Sequence, residues 1–332
     1  MAVTIADIQK LRKMTGAGLS DCKKALTEAD GNIEKAIELV RERGLAIAAK
    51  RSDRETSNGC VLVKKTEDFA AMVAVKCETD FVAEGKDFVS MVQEILDAAV
   101  AHKCRSLDEV KALKLASGDD AATEVTHRSG ISGEKMELDG YNFIEGGNIS
   151  IYDHMGRHTL ATMVQLDKEN EDAAHKVAMQ VAAMKPIALD EASVPEEVKK
   201  QEMEVSIQKT KEEQVEKAVI NAIKKAGINP NLVDSDDHID SNMAKGWLTQ
   251  EEADKAREIK KTVTEEKSAN LNEAMIQNIA KGRMAKFFKD NCLVDQEFQF
   301  ADEDGKISVQ DWLKKQGDLN IVTYRRFSLA AD

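Results

Sequence analysis

The chain has 332 residues, a length that suggests two or three domains, and 42% are hydrophobic, which excludes wholesale disorder. Only 4% are aromatic and 3 are proline, a balance that favours helix. The net charge of −13 gives no general attraction to phosphate backbones, so direct nucleic-acid binding is not expected.

Thr4 and Asp7 have the spacing of a capping box, and Ile5, Ile8 and Leu11 follow at helical intervals until Gly16-Ala17-Gly18. A second helix carries Leu19, Cys22, Ala25 and Leu26. Asp30-Gly31-Asn32 turns the chain, and Asn32 caps a third helix bearing Ile33, Ala36, Ile37 and Val40, with Gly44 expected to close it. Three short helices in so few residues predict a compact bundle. Residues 1–54 hold 11 Lys/Arg against 8 Asp/Glu, so a mildly basic bundle precedes an acidic body. That contrast suits a docking module followed by a basic linker, Leu45–Arg54.

Beyond Gly59 the period changes. Cys60–Lys64 and Phe69–Lys76 read as strands around a turn at Thr66-Glu67-Asp68. CETDFVAE then leads into a helix with Phe88, Val92, Ile95 and Leu96. The same order recurs: Asn148–Tyr152, His158–Leu166, then a helix with Val177, Val181 and Met184. This is an internal duplication of a hairpin-plus-helix unit. Between Val75 and Ala98 lie 22 residues, but between Leu166 and Ala182 only 15. The extra loop of the first copy carries a Phe among charges and is the place to look for function.

From Pro195 the chain turns helical and charged, with Val198, Val205, Val215, Val219 and Ala222 marking a heptad-like seam. Gly227–Lys245 reads as a polar linker. Thr249-Gln250-Glu251-Glu252 caps a second long helix through Ile279, which predicts a protruding antiparallel hairpin. Glu297–Phe300 and Ile321–Leu329 are expected to complete the second copy's sheet. The fold class expected is therefore helix-rich α+β. Its parts are a bundle with linker (1–54), a first core subdomain (55–140), a second (141–195 with 285–332) and a helical hairpin (196–284).

Chemistry is sparse. None of HExxH, GxSxG or GxxxxGK[ST] occurs, and Gly16-Ala17-Gly18 follows no strand, so it is no dinucleotide loop. His154 and His158 lack a third nearby ligand, so no metal is expected. Asp302–Ile307 resembles part of a calcium loop, yet Phe300 stands where its first carboxylate belongs, so a turn is expected. The five cysteines form no CxxC pair, which suits reduced, buried thiols in a cytoplasm. No apolar run reaches the ~18 residues of a membrane span, and the start lacks a signal pattern. Asp119-Asp120 and Asp236-Asp237 read as surface pairs. No nucleophile, base and electrophile can be assembled, so a binding protein is expected, with no enzyme chemistry and no cofactor.

Thr15-Gly16-Ala17-Gly18 with Asp21-Cys22-Lys23-Lys24-Ala25-Leu26, and Cys77-Glu78-Thr79-Asp80-Phe81-Val82-Ala83, resemble two signatures of the bacterial elongation factor Ts family. Tyr152-x-His154 and Ala182-Ala183-Met184-Lys185-Pro186 are similar to further family features. The resemblance implies a ubiquitin-associated-like bundle, two related α+β subdomains and a helical hairpin. It implies guanine-nucleotide exchange on elongation factor Tu, bound both with GDP and free of nucleotide. On that reading Thr79, Asp80, Phe81 and Val82 dislodge the partner's Mg²⁺ ion, with Phe81 as a wedge. Arg12, Leu19, Lys23 and His154 are the expected partner contacts. The family also implies staying with the complex until GTP hydrolysis on the ribosome. The segment 227–245 looks longer than in familiar members, and the chain ends soon after Arg326-Phe327-Ser328, where some members add a helical module. Self-association through the hairpin stays open. A helical scaffold that oligomerises through the hairpin, or a hydrolase using carboxylate pairs, would be the competing classes.

Overall fold

In the computed structural model, which describes residues 3–301 and 304–330, Thr4 and Asp7 cap each other. The Asp7 amide donates to Thr4 Oγ1 at 3.2 Å, and the Thr4 amide to Asp7 Oδ2 at 3.1 Å. This opens α1 (Ile5–Thr15), which Gly16 closes at φ 72°. Helix α2 (Leu19–Glu28) and α3 (Ile33–Ala49) follow, and Leu11, Cys22, Ala25, Leu26, Ala36 and Val40 form their shared core. One expectation fails here: α3 does not stop at Gly44. It continues to Ala49 because Gly44 serves packing, not termination. A Cβ built on Gly130 of α7 (Ala121–Ser132) would lie 2.3 Å from the Gly44 Cα, so the two backbones touch through their glycines. The first half of the expected basic linker is therefore helix, and the bundle packs on α7 rather than hanging from a tether.

Two antiparallel sheets share this first unit. One orders β1 (Asn58–Lys65), β2 (Phe69–Cys77) and β3 (Met136–Glu145); the other orders β4 (Ile149–Asp153), β5 (Leu160–Leu166) and β6 (Ile321–Ser328). Helix α5 (Lys86–Ala101) covers the first sheet and α8 (Glu171–Met184) the second, as the duplication predicts. Strand β2 is apolar and buried from Phe69 to Val75 because both faces are covered there. Phe69, Ala71, Val73 and Val75 share a core with α5. Ala70 and Met72 meet Ile149 and Met163 of the other sheet, while Ala74 clusters with Ala161. The extra length of the first copy holds a single helical turn, α4 (Asp80–Ala83), which the second copy lacks.

Three further readings are corrected. The boundary expected after residue 140 falls inside β3, where Gly140 accepts the Phe327 ring; a Cβ there would stand 2.3 Å from that ring. Glu297–Phe300 forms no strand of the sheet: Glu297 makes one isolated bridge to Ser308, and β6 completes the sheet alone. Helices α6 (Leu107–Lys111) and α7, between α5 and β3, had no counterpart in the sequence reading. The turn expected at 302–307 lies partly outside the described residues, since 302 and 303 are not among them.

The second unit is 190–296, wider at both ends than the hairpin expected at 196–284. Helix α9 (Glu196–Lys225) packs against α11 (Gln250–Ala269) and α12 (Glu273–Asn291). The long second helix breaks at Asn270-Leu271, where Asn272 Oδ1 accepts the Met275 amide at 3.0 Å and starts a new cap. Of the expected seam only Val219 is buried; Val205 is exposed, and Ser206 and Thr210 face inward instead. Thr210 satisfies its hydroxyl by donating to the Ser206 carbonyl at 2.6 Å, so the buried face need not be apolar. The polar linker is also structured. Ser235 caps α10 (Asp236–Ala244), and Ile239 is fully buried with Ile223, Val233 and Leu248. Among the described residues no helix is long and apolar enough to cross a membrane.

All five cysteines are buried and free. Burial pushes Cys60 and Cys77 up to about 12 and Cys292 up to about 11, and raises Cys22 and Cys104. Thiolates are the reactive form, so a disulfide-exchange reagent at pH 8 should leave the native thiols unmodified for minutes. The same reagent should titrate all five after denaturation. Fast native labelling would refute this burial.

Candidate functional site

The turn after β2 is built by its own side chains. Thr79 is the N-cap of α4: its Oγ1 accepts the Val82 amide at 3.4 Å while its hydroxyl donates to Glu134 Oε1 at 2.7 Å. The Thr79 amide donates to Glu134 Oε2 at 3.1 Å, and Cys77 Sγ donates to the Thr79 carbonyl at 3.2 Å. Asp80 Oδ1 accepts the Phe81 amide at 2.8 Å. Val82 packs against the α5 core and Ala83 is buried, which turns the next face outward. Phe81 stands on that face, 87% exposed. Burying such a ring is worth about 1.5–3 kcal/mol, which a covering surface would gain.

Below the turn, Glu78 is held on both sides. Its carboxylate accepts the Lys135 amide at 2.6 Å and Arg54 Nη1 at 2.9 Å, and these contacts keep it below the usual carboxylate range. Asn58 Nδ2 donates to the Glu78 carbonyl at 2.9 Å. Glu78 was visible only as part of the signature loop, and neither Arg54 nor Glu134 stood out as its partner, because a clasp between distant charged residues leaves no periodic signal.

An open groove of about 1010 Å³ runs beside the turn, lined by Asn58, Asp80, Glu84 and Lys86, and by Arg157 and His158 after β4. His154 sits on the loop that supplies the second lip. It is half-buried, its Nδ1 3.1 Å from the Tyr152 hydroxyl. Met155 follows in a left-handed conformation (φ 57°) and is 68% exposed, an apolar side chain open to solvent that did not stand out in the sequence. Arg12, on the last turn of α1, is exposed. Leu19 and Lys23, also exposed, lie one turn apart on α2. These three belong to the bundle, on elements separate from the Phe81 turn.

Of the carboxylates singled out, Asp236 and Asp237 are exposed on the first turn of α10, whereas Asp119 and Asp120 have structural roles. Asp120 caps α7 through the Thr123 amide at 2.8 Å, and Asp119 pairs with Arg41 at 3.3 Å. Asp119, Glu124 and His127 bring potential cation ligands within 4.8 Å of one another. Arg41 and, at 3.1 Å, Arg128 already neutralise the two carboxylates, so the cluster fits an ion-pair network joining α3 to α7 better than a metal.

A family model described as "Elongation factor TS" matches residues 78–235 and 222–331, beginning on Glu78 at the base of the turn. Proteins named elongation factor Ts from Parabacteroides distasonis and Phocaeicola vulgatus are each 59% identical over 333 residues, covering 100% of both chains. The elongation factor Ts of Porphyromonas gingivalis is 37% identical over 334 residues, again with 100% coverage of both.

Proposed function

This chain belongs to the elongation factor Ts family, and from that premise we propose that it is a guanine-nucleotide exchange factor of translation elongation, acting in the cytoplasm on elongation factor Tu. It binds the GDP-bound partner, promotes GDP release, and binds the nucleotide-free form best. No covalent bond is made. By linkage, the factor and the nucleotide weaken each other's binding by the same ratio, so preference for the empty partner is itself the driving force.

The observation that carries this reading is Phe81, fully presented on a turn whose backbone is fixed from behind. A rigid aromatic brings large contact area at little entropic cost, which suits a wedge between helices. Inserted there by the Thr79–Val82 turn, it displaces the partner's Mg²⁺ ion and loosens its phosphate-binding loop. His154 and Met155 offer a second contact across the groove. Arg12, Leu19 and Lys23 dock the bundle, which holds the turn at high effective concentration. On this reading the factor remains with the GTP-loaded complex carrying aminoacyl-tRNA until hydrolysis on the ribosome, touching the protein rather than the RNA.

The test is release of a fluorescent GDP analogue from elongation factor Tu in the presence of excess unlabelled GDP. Substoichiometric chain should accelerate release through many turnovers, with a rate that saturates in the partner. An unchanged release rate overturns the proposal.

A further inference from the structure

Two segments distant in sequence exchange side chains at the base of the Phe81 turn. Glu134 takes the amide and hydroxyl of Thr79, while Glu78 takes the amide of Lys135. Each glutamate thus caps the backbone next to the other. The Lys135 ammonium also donates to the Arg54 carbonyl at 3.0 Å, which ties the end of the bundle segment into the same clasp.

The Glu134 side of this clasp is itself fixed. Gly133 ends α7 in the left-handed region at φ 78°, a conformation that favours glycine. Ser129, buried on α7, donates to the Glu134 carbonyl at 2.6 Å, and the Glu134 amide donates to Ser132 Oγ at 3.1 Å. The carboxylate therefore projects from an anchored backbone onto a turn that has only four residues of helix, too short to hold itself.

We propose that Glu134 is the positioning residue of the exchange step: it holds Thr79 as N-cap so that the turn presents Phe81 in wedging geometry before the partner arrives. This rests on the exchange reading above and adds to it a residue outside the signature loop. The chemistry is specific. The Thr79 hydroxyl donates to Glu134 and keeps a lone pair for the Val82 amide, so the carboxylate orients the cap as well as anchoring it. Without it, the turn samples other conformations, and only the fraction in the competent one acts on the partner.

The variants are Glu134→Ala and Glu134→Gln, in the full chain. Gln keeps an acceptor for the Thr79 amide and can donate to the Thr79 oxygen, so it is the conservative rescue. Glu134→Ala is expected to lower the maximal GDP release rate at saturating factor by about fivefold to tenfold, the scale of one ordinary net hydrogen bond. Half-saturation should change far less, because the docking surface of the bundle is untouched. Hydrogen exchange at the Thr79 and Val82 amides of the factor alone should accelerate in Glu134→Ala and return towards wild type in Glu134→Gln, with the melting temperature lowered by no more than a few degrees.

Wild-type maximal release by Glu134→Ala overturns the proposal. So does a loss of rate that merely follows a loss of folded protein, or unchanged protection of the two amides. If the wild-type chain itself releases no GDP, the exchange reading fails on its own. The amide rates then still decide the clasp: lost protection in Glu134→Ala upholds it, and retained protection overturns it.

Discussion

Phe81→Ala is expected to slow GDP release about thirtyfold, the rate equivalent of a ~2 kcal/mol interface hot spot, while leaving the melting temperature unchanged. The two halves of that expectation have separate grounds. The ring is 87% exposed, so its removal opens no cavity and takes no contact from the core. The turn's own bonds use Thr79, Asp80 and backbone groups, all of which the substitution keeps. Alanine also favours helix more than phenylalanine. What is lost is contact made only with the partner, and a loss confined to the release transition state lowers the maximal rate. Stopped-flow release of fluorescent GDP at saturating factor, with circular dichroism of the free variant, checks both halves. A folded variant that releases GDP at the wild-type rate removes Phe81 from the mechanism.

Gly130→Ala should destabilise the chain by about 3 kcal/mol, whereas Gly44→Ala, at the same contact, should be neutral or slightly stabilising. A Cβ on Gly130 meets the Gly44 Cα at 2.3 Å and the Gly44 carbonyl oxygen at 2.4 Å. Both obstacles are backbone, so α3 and α7 must separate; overpacking of this kind costs ~1–3 kcal/mol and occasionally more. A Cβ on Gly44 instead finds the Gly130 Cα at 3.7 Å, an ordinary contact. Replacing a helix-interior glycine there also recovers roughly 0.5–1 kcal/mol of backbone entropy. Thermal melts should show Gly130→Ala lower by ~6–12 °C, at a few degrees per kcal/mol. Equal melting temperatures for the two variants would refute the glycine-to-glycine approach of the helices.

The same pair of glycines shows where reading from sequence stops. Thr4-Asp7, Asn32 and Thr249-Glu252 announce their helices because a cap is a bond across three residues, and the structure makes each one. The duplicated strands and their helices are legible for a related reason: the apolar period reports which face is covered. The exposure of Phe81 was legible from the signature loop and from the longer first copy. Gly44 reads locally as a helix end and a subdomain boundary was expected just after Gly140, yet both lie inside regular elements, because each makes room for a group far along the chain, Gly130 and Phe327. Ile239, fully buried, and the inward Ser206 and Thr210 were hidden in the same way, since burial there depends on neighbouring helices rather than on adjacent residues. Local sequence therefore determined the caps, the repeat and the loop that carries Phe81. Only the tertiary structure brought Glu134 to Thr79, because a hydrogen bond spanning 55 residues leaves no trace in either segment's own pattern.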